Sequence, residues 1–365
     1  MLVQGVGFFW AIFFSSIGFS GTQIGIIVAL TIITGLISIV PSGIINDRIK
    51  SKNLITLALL IIAIQFIGIS QTQAFPAVII FSIFGGIGGN LYTASADSIF
   101  YKSMENRNVT KKIAIYQSIN YLLIGVGLIT SGQILNLDIP FQTLIFSIGI
   151  GFLLMAIVSR TLPKTITTNF ELFHYKSDIF RPKVLFFLLI VLLFSIHFGA
   201  EQTSYGLFLE KTLQLEKKWI GLYMGSAIFL MGFWAIFFSK ILGKIKVKSL
   251  LFTGLLISSI GHVAMTVKDP IYSFLFRMFH EAGDAAMYVF FAYGISTMFD
   301  VKRIGGNSSI FTLTTIIGAT IGSLIFGPIG EKFGYDTPLI ITGIVIFIAF
   351  ILAILFNRLI VKYQE

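Results

Sequence analysis

Arg277, His280, Glu281 and Asp284 lie within one apolar stretch, Ile271–Met298. With Ser273 and Tyr288 they recur at steps of three and four residues. In a helix those steps place them on one stripe. At ~1.5 Å of rise per residue, Arg277 to Asp284 spans about 10 Å. Charged groups inside a membrane helix are costly and usually face a cavity or a partner. The stripe therefore suits substrate binding or proton transfer. The alternative is a clamp in which Arg277 and Glu281, at i,i+4, only neutralise each other. A second set, His197, Glu201 and Gln202, sits near the end of another apolar stretch, with His197 and Glu201 at i,i+4. Glu201 is expected either in the cavity or reaching out to the membrane interface.

Other polar residues carry weaker signals. Asn90, Tyr92 and Ser95 follow Gly85, Gly86, Gly88 and Gly89, and Asn90 and Tyr92 are candidate cavity groups. The glycines themselves permit close helix packing. Gln117, Asn120 and Tyr121 could touch substrate, although such groups more often pair between helices. His262 stands alone in its stretch and reads as structural. No metal-ligand spacing, phosphate loop or nucleophile motif is present, so neither a metal, a cofactor nor an enzymatic role is expected.

The elements that must position these residues are membrane helices. Apolar residues make up 56% of the chain, charged residues only 12%, and mean hydropathy is +0.92. A soluble domain carries about 25% charge. Apolar runs cover Met1–Phe14, Ile24–Val40, Leu54–Ser70, Ala77–Phe100, Ile113–Ile134 and Phe141–Val158. After the polar segment Arg160–Lys183 come Val184–Tyr205, Ile220–Phe238, Leu250–Val267, Ile271–Met298, Ser309–Phe326 and Leu339–Leu355. The pattern is six runs, a linker and six more. A run of 17 or more residues is long enough to cross a bilayer.

Charge sets the orientation. The formal net charge is +10, and 20 of the 26 Lys and Arg residues lie after even-numbered runs, in the linker or at the C-terminus. Five lie in the opposite loops and Arg277 within a run. The positive-inside rule then puts the linker and C-terminus in the cytoplasm. Basic residues scattered in this way do not form a nucleic-acid patch. With no cysteine, redox gives no compartment.

The two halves repeat. At a shift of 196 residues, Ile24-Gly25 falls on Ile220-Gly221, Lys50 and Lys52 on Lys246 and Lys248, and Leu54 on Leu250. At a shift of 194, Pro76, Gly89 and Asn90 fall on Pro270, Gly283 and Asp284. The shift of 196, applied to Val184, places the expected start of the first helix about a dozen residues before Met1. The first run is correspondingly short, and an earlier start codon is the favoured reading.

The loop between the second and third runs reads Gly43-Ile44-Ile45-Asn46-Asp47-Arg48-Ile49-Lys50-Ser51-Lys52. Gly43, Asp47, Arg48 and Lys52 match the signature loop of the major facilitator superfamily, which this chain resembles. Lys50 stands where the pattern has a second Gly, and Ser51 where it has a basic residue. The resemblance implies an all-α membrane protein of twelve transmembrane helices in two six-helix bundles, residues 1–160 and 184–365, joined by a cytoplasmic linker, 161–183. It implies a cavity lined by the first, fourth, seventh and tenth helices, where the Arg277 stripe and Glu201 would meet. It also implies a gate of Gly43, Asp47, Arg48 and Lys52, with Asp97 expected beside Arg48. The fourth helix lacks the arginine, and the fifth the Gly-Pro step, that proton antiporters of the family often carry. The function implied is secondary active transport of a small molecule across the cytoplasmic membrane by alternating access, with protons as candidate coupling ions. A transport-inactive scaffold or sensor on the same fold is the alternative. The expected partners are the substrate, the lipid bilayer and protons, with the chain a monomer and no nucleic acid involved.

Overall fold

The computed structural model describes residues 10, 13–14, 17–19, 21–103, 109–134, 139–167, 173–242 and 246–360. The first apolar run and the loop at 243–245 fall largely or wholly outside them. The long helices are α1 (Gly21–Arg48), α2 (Ser51–Ser70), α3 (Phe75–Lys102), α4 (Val109–Ile134) and α5 (Phe141–Val158). A short linker helix, α6 (Phe173–Ile179), precedes α7 (Pro182–Ala200), α8 (Lys217–Leu242), α9 (Val247–Ala264), α10 (Pro270–Met298), α11 (Ile304–Phe333) and α12 (Thr337–Leu355). Among the described residues, nine helices are long and apolar enough to cross a membrane. The other two long ones, α4 and α10, carry more polar residues.

Local chemistry sets the helix starts. Proline occupies the first turn of α3, α7, α10 and α12, where its missing N–H costs no hydrogen bond. The Asp269 carboxylate caps α10, accepting from the amides of Ile271 and Tyr272 at 2.9 and 3.0 Å. Past Ala200, α7 continues in two π-turns, Glu201–Tyr205 and Phe208–Thr212. Such turns often mark functional positions, and Glu201 opens the first.

The surface is apolar where lipid would touch it: Ile37, Leu324 and Ile271 are 69%, 72% and 71% exposed. A set of polar and charged side chains, among them His197, His262, His280, Arg277 and Asp284, is buried instead. This inverts the soluble pattern, as a hydrocarbon surround requires.

The halves meet through a repeated pair of contacts. A Cβ on Gly125 of α4 would lie 2.6 Å from the Phe229 Cβ of α8, and one on Gly225 of α8 2.7 Å from Ile129 of α4. Likewise a Cβ on Gly43 of α1 would lie 2.1 Å from the Ser309 hydroxyl of α11. Thus the second apolar run of each half packs on the fifth of the other, the arrangement two parallel repeats would produce.

Within the C-terminal half, Gly199 lets α7 touch α11 directly. A Cβ there would lie 2.2 Å from both the Ala319 carbonyl and the Ser323 amide. Gly151, by contrast, has open space around it. Backbone atoms cannot move aside cheaply, and overpacking costs about 1–3 kcal/mol. Gly199→Ala should lower the thermal midpoint of purified protein by several degrees while Gly151→Ala leaves it unchanged. Equal midpoints would contradict the packing account.

The linker is docked by charge. Asp178 of α6 accepts from Arg303 Nε at 2.8 Å, Arg303 Nη2 at 3.1 Å and Asn307 Nδ2 at 3.0 Å. Burial raises its pKa, but those bonds and the charges of Arg303 and Arg181 outweigh it and hold the carboxyl below its usual value. A depressed pKa makes docking fully effective above the ordinary carboxylate range and lost only as pH falls through the depressed value. Hydrogen exchange in α6, corrected for intrinsic rate, should be flat from pH 8 to 5 and should rise in Asp178→Asn. A rise in the wild-type protein between pH 7 and 5 would refute this.

Candidate functional site

The α10 stripe meets α7 and α9 inside the C-terminal bundle. Glycines make the approach possible. A Cβ on Gly283 would lie 2.2 Å from the Ser258 amide of α9, and one on Gly261 2.6 Å from the His280 Cα. With the backbones that close, short side chains reach one another.

Arg277 is the hub. Its Nη1 and Nη2 both donate to the Glu201 carboxylate across the bundle. Its Nη2 also lies 2.5 Å from Glu281 Oε1 on its own helix. The guanidinium carbon sits 4.7 Å from the centre of the Tyr205 ring, a cation–π contact. The π-turn that begins at Glu201 brings both Glu201 and Tyr205 to this cation.

A histidine group adjoins it. His197 Nε2 lies 3.2 Å from Asp284 Oδ2 and His280 Nε2 3.6 Å from the same oxygen. His280 Nε2 is also 3.3 Å from Glu201 Oε1 and 3.3 Å from His262 Nδ1. The Ser258 hydroxyl donates to Asp284 Oδ1 at 2.6 Å. His197, His262 and His280 are fully buried, and Arg277, Glu281 and Asp284 nearly so.

The sequence expectations divide here. Arg277, His280, Glu281, Asp284, His197 and Glu201 come together. Tyr288 lies one turn beyond Asp284, its ring 5.5 Å from Tyr121 of α4, at the seam between halves. Gln202 points outward and is exposed. Asn90 donates to the Gly86 carbonyl of its own helix at 3.1 Å and packs against Gly35 of α1. Tyr92 is 42% exposed. These three do not join the cluster. Asn120 is exposed, Tyr121 is buried, and the Gln117 side chain lies outside what is described.

His262 is not the isolated residue its sequence context suggests. It lies 3.6 Å from Glu201 and bonds Thr342 of α12 at 3.0 Å. The expectation of no metal-ligand spacing also needs correction. His197, His280 and Asp284 hold ligand atoms within 4.8 Å of one another, as do Glu201, His262 and His280. The pairs His197/Glu201 and His280/Asp284, both at i,i+4, were the available signals. What sequence could not show was that α9 would carry His262 against them.

The signature loop forms a second site. Asp47 is fully buried at the end of α1. Its carboxylate accepts from the amides of Gly305 and Gly306 at 3.1 and 2.8 Å. These amides belong to the first turn of α11, where N–H groups have no partner in their own helix. The negative charge also suits the positive end of the helix. Lys102 at the end of α3 completes the contact, 2.8 Å from Asp47 Oδ1. So Asp47, from the N-terminal half, caps a helix of the C-terminal half.

The expected Arg48–Asp97 pair is not among the ion pairs of the described residues. Arg48 is exposed, because adjacent helical residues point about 100° apart and Asp47 takes the inward direction. Lys102, which the sequence reading passed over, is the cation beside Asp47. Asp97 accepts from the Tyr116 hydroxyl at 3.5 Å. Lys52 reaches the Arg160 carbonyl at 3.5 Å, tying α2 to the end of α5.

The Major Facilitator Superfamily profile matches residues 1–267 and 220–362. No curated relative matches the sequence. Among solved structures, the proton:xylose symporter XylE bound to 6-bromo-6-deoxy-D-glucose is similar, with a TM-score of 0.73 at 16% identity over 99% of this chain and 92% of that one. FucP in its outward conformation gives 0.71 at 14% identity over 97% of each chain. The human organic anion transporter MFSD10 (TETRAN) gives 0.71 at 13% identity over 96% and 89%. At such identities the likeness shows the fold alone. With the profile spanning nearly the whole sequence and its signature loop built across the two halves, the chain belongs to the Major Facilitator Superfamily.

Proposed function

We propose that this protein is a secondary active transporter, moving a small molecule across the cytoplasmic membrane by alternating access with proton coupling. The observation that carries the reading is the buried Arg277 group. Glu201, Glu281 and Asp284 face one permanent cation, so with neutral imidazoles the group holds a net charge of −2. A charge deficit in the membrane interior is expensive and invites proton uptake. His197, His262 and His280 are the groups placed to receive it. As the halves rock, Arg277 would shift between Glu201 and Glu281, changing which carboxylate needs a proton.

The Asp47 cap supplies the other half of the cycle. It joins the halves at the end that the charge bias assigns to the cytoplasm, and it must break for that end to open. Breaking it exposes the Asp47 carboxylate and two amides to water, which rehydrates them and keeps the two states close in energy. XylE, a proton:xylose symporter by its title, shares the fold. This supports transport as the function without naming the substrate. A scaffold or sensor would have little reason to retain three buried carboxylates against one arginine.

Reconstituted protein, screened over a compound library with and without a pH gradient, tests the reading. Asp284→Asn and Glu281→Gln should keep the fold, since each removes charge at nearly constant volume. At least one should lose gradient-driven uptake while still binding substrate. Arg277→Ala should be worse, because stranding buried carboxylates costs roughly 3–5 kcal/mol. Wild-type rates in both carboxylate variants from pH 5 to 8 would reduce the group to a structural clamp.

The cap makes its own forecast. Asp47→Ala should slow turnover several-fold without impairing membrane insertion. Lys102→Gln should be milder, because Asp47 still caps both amides of α11. Unchanged turnover in Asp47→Ala would count against the gate.

A further inference from the structure

Asp97 of α3 stands apart from the other carboxylates within the membrane helices. Glu201 and Glu281 share Arg277, and Asp284 faces His197 and His280. Asp97 is half-buried and makes no ion pair among the described residues. Its partner is the Tyr116 hydroxyl of α4, which donates at 3.5 Å, a long and weak bond. A lone ionised carboxylate is costly at such a position, so a cation or a proton must offset it.

Aromatic rings lead from this carboxylate along the seam between the halves. Tyr116 stacks on Phe100 with 4.0 Å between ring centroids, and Phe100 lies 5.2 Å from Tyr101. Tyr101 and Tyr121 of the N-terminal half are buried in one cluster with Phe194, Met231 and Phe291 of the C-terminal half, so the end of α3 borders the seam. Tyr121 follows Tyr116 on α4 by about 7.5 Å of helical rise. It meets Tyr288 of α10 at 5.5 Å, and Tyr288 meets Phe198 of α7 at 6.1 Å.

This combination selects among ligands. Ring faces carry negative potential and attract a cation within about 6 Å of their centres. A hard metal ion needs several oxygen ligands instead, and one carboxylate beside one phenol does not supply them. Anions fare worse. Arg277 is the one Lys or Arg away from the ends of the long described helices, and Glu201 and Glu281 already hold it. An anion entering the seam would meet Asp97 and find no basic side chain at mid-depth to receive it.

We infer that the transported molecule is an organic cation, a protonated or quaternary amine on an apolar body, whose charge is received by Asp97 and the Tyr116 ring. This names the substrate class for the transport reading and rests on it. Asp97 belongs to the N-terminal half and touches none of the Arg277 group, so the −2 charge and the three histidines remain available to protons.

The test measures binding to full-length protein in detergent by titration calorimetry. The probes share a phenylpropyl body and end in trimethylammonium, in hydroxyl or in sulfonate. The ammonium probe should bind saturably, at least about 10-fold more tightly than the other two. Asp97→Asn should erase that preference. Tyr116→Phe keeps the ring and should bind nearly as wild type, whereas Tyr116→Leu should lose about 10-fold. That pair decides the matter should Asp97→Asn fail to fold. No saturable binding of the ammonium probe, equal binding of the hydroxyl or sulfonate probe, or ammonium binding unchanged in Asp97→Asn or in Tyr116→Leu would overturn the assignment and leave Asp97 a proton site only. Because binding is read without vesicles or a gradient, that failure would leave transport of an uncharged solute standing. The transport reading falls instead if the reconstituted protein moves no compound.

Discussion

One arginine between two carboxylates governs this structure. Arg277 is nearly fully buried and touches Glu201 on α7 and Glu281 on α10. In hydrocarbon no water can replace either partner, so the elements that carry them must stay in reach. That requirement explains several features at once. The π-turn at Glu201 swings a carboxylate inward where a regular turn would aim it elsewhere. Tyr205 covers the guanidinium with its ring face. Gly261 and Gly283 let α9 and α10 touch backbone to backbone, which carries His262 and Ser258 into contact with the α10 residues.

The second constraint is the seam between halves. Its core is built from glycine contacts between α4 and α8 and between α1 and α11. Such surfaces can slide or rock because they rely on shape rather than on many directional bonds. The directional exception is Asp47, which caps α11 and pairs with Lys102 at one end of the molecule. A seam that is smooth along its length and latched at one end suits a two-state rocking motion. The buried group in the C-terminal bundle and the latch lie on different elements, but α11 joins them: it carries the capped amides and packs along α7, which bears Glu201 and His197.

Much of the fold was legible in the sequence, because a hydrocarbon surround leaves few alternatives to long apolar helices. The Gly43–Lys52 loop and the repeat between halves pointed to the family. The α10 stripe was legible because its charges recur at helical spacing. Other parts were not. Asp47 was found, yet its cation was not: Lys102 comes from a helix whose end approaches only in three dimensions. His262 looked solitary, since a lone histidine in an apolar run has no local signal. Its role depends on which face of α9 meets α10, and glycines at 261 and 283 decide that only jointly. Asn90 and Tyr92 share the polarity of the Arg277 group but lie on α3, apart from it, a separation that composition does not show.

The central claim is that the charge state of the Arg277 group and the Asp47 latch are linked through one rocking motion. The chain has no cysteine, so a single introduced pair can be labelled cleanly. Spin labels at Ile49→Cys and Val301→Cys, both exposed beside the latch, would report its opening by pulsed electron resonance in lipid nanodiscs. The account predicts two distance populations whose ratio shifts between pH 5 and pH 8, and loss of that shift in Asp284→Asn combined with Glu281→Gln. A single distance independent of pH, or a pH shift that survives removal of both carboxylates, would contradict it.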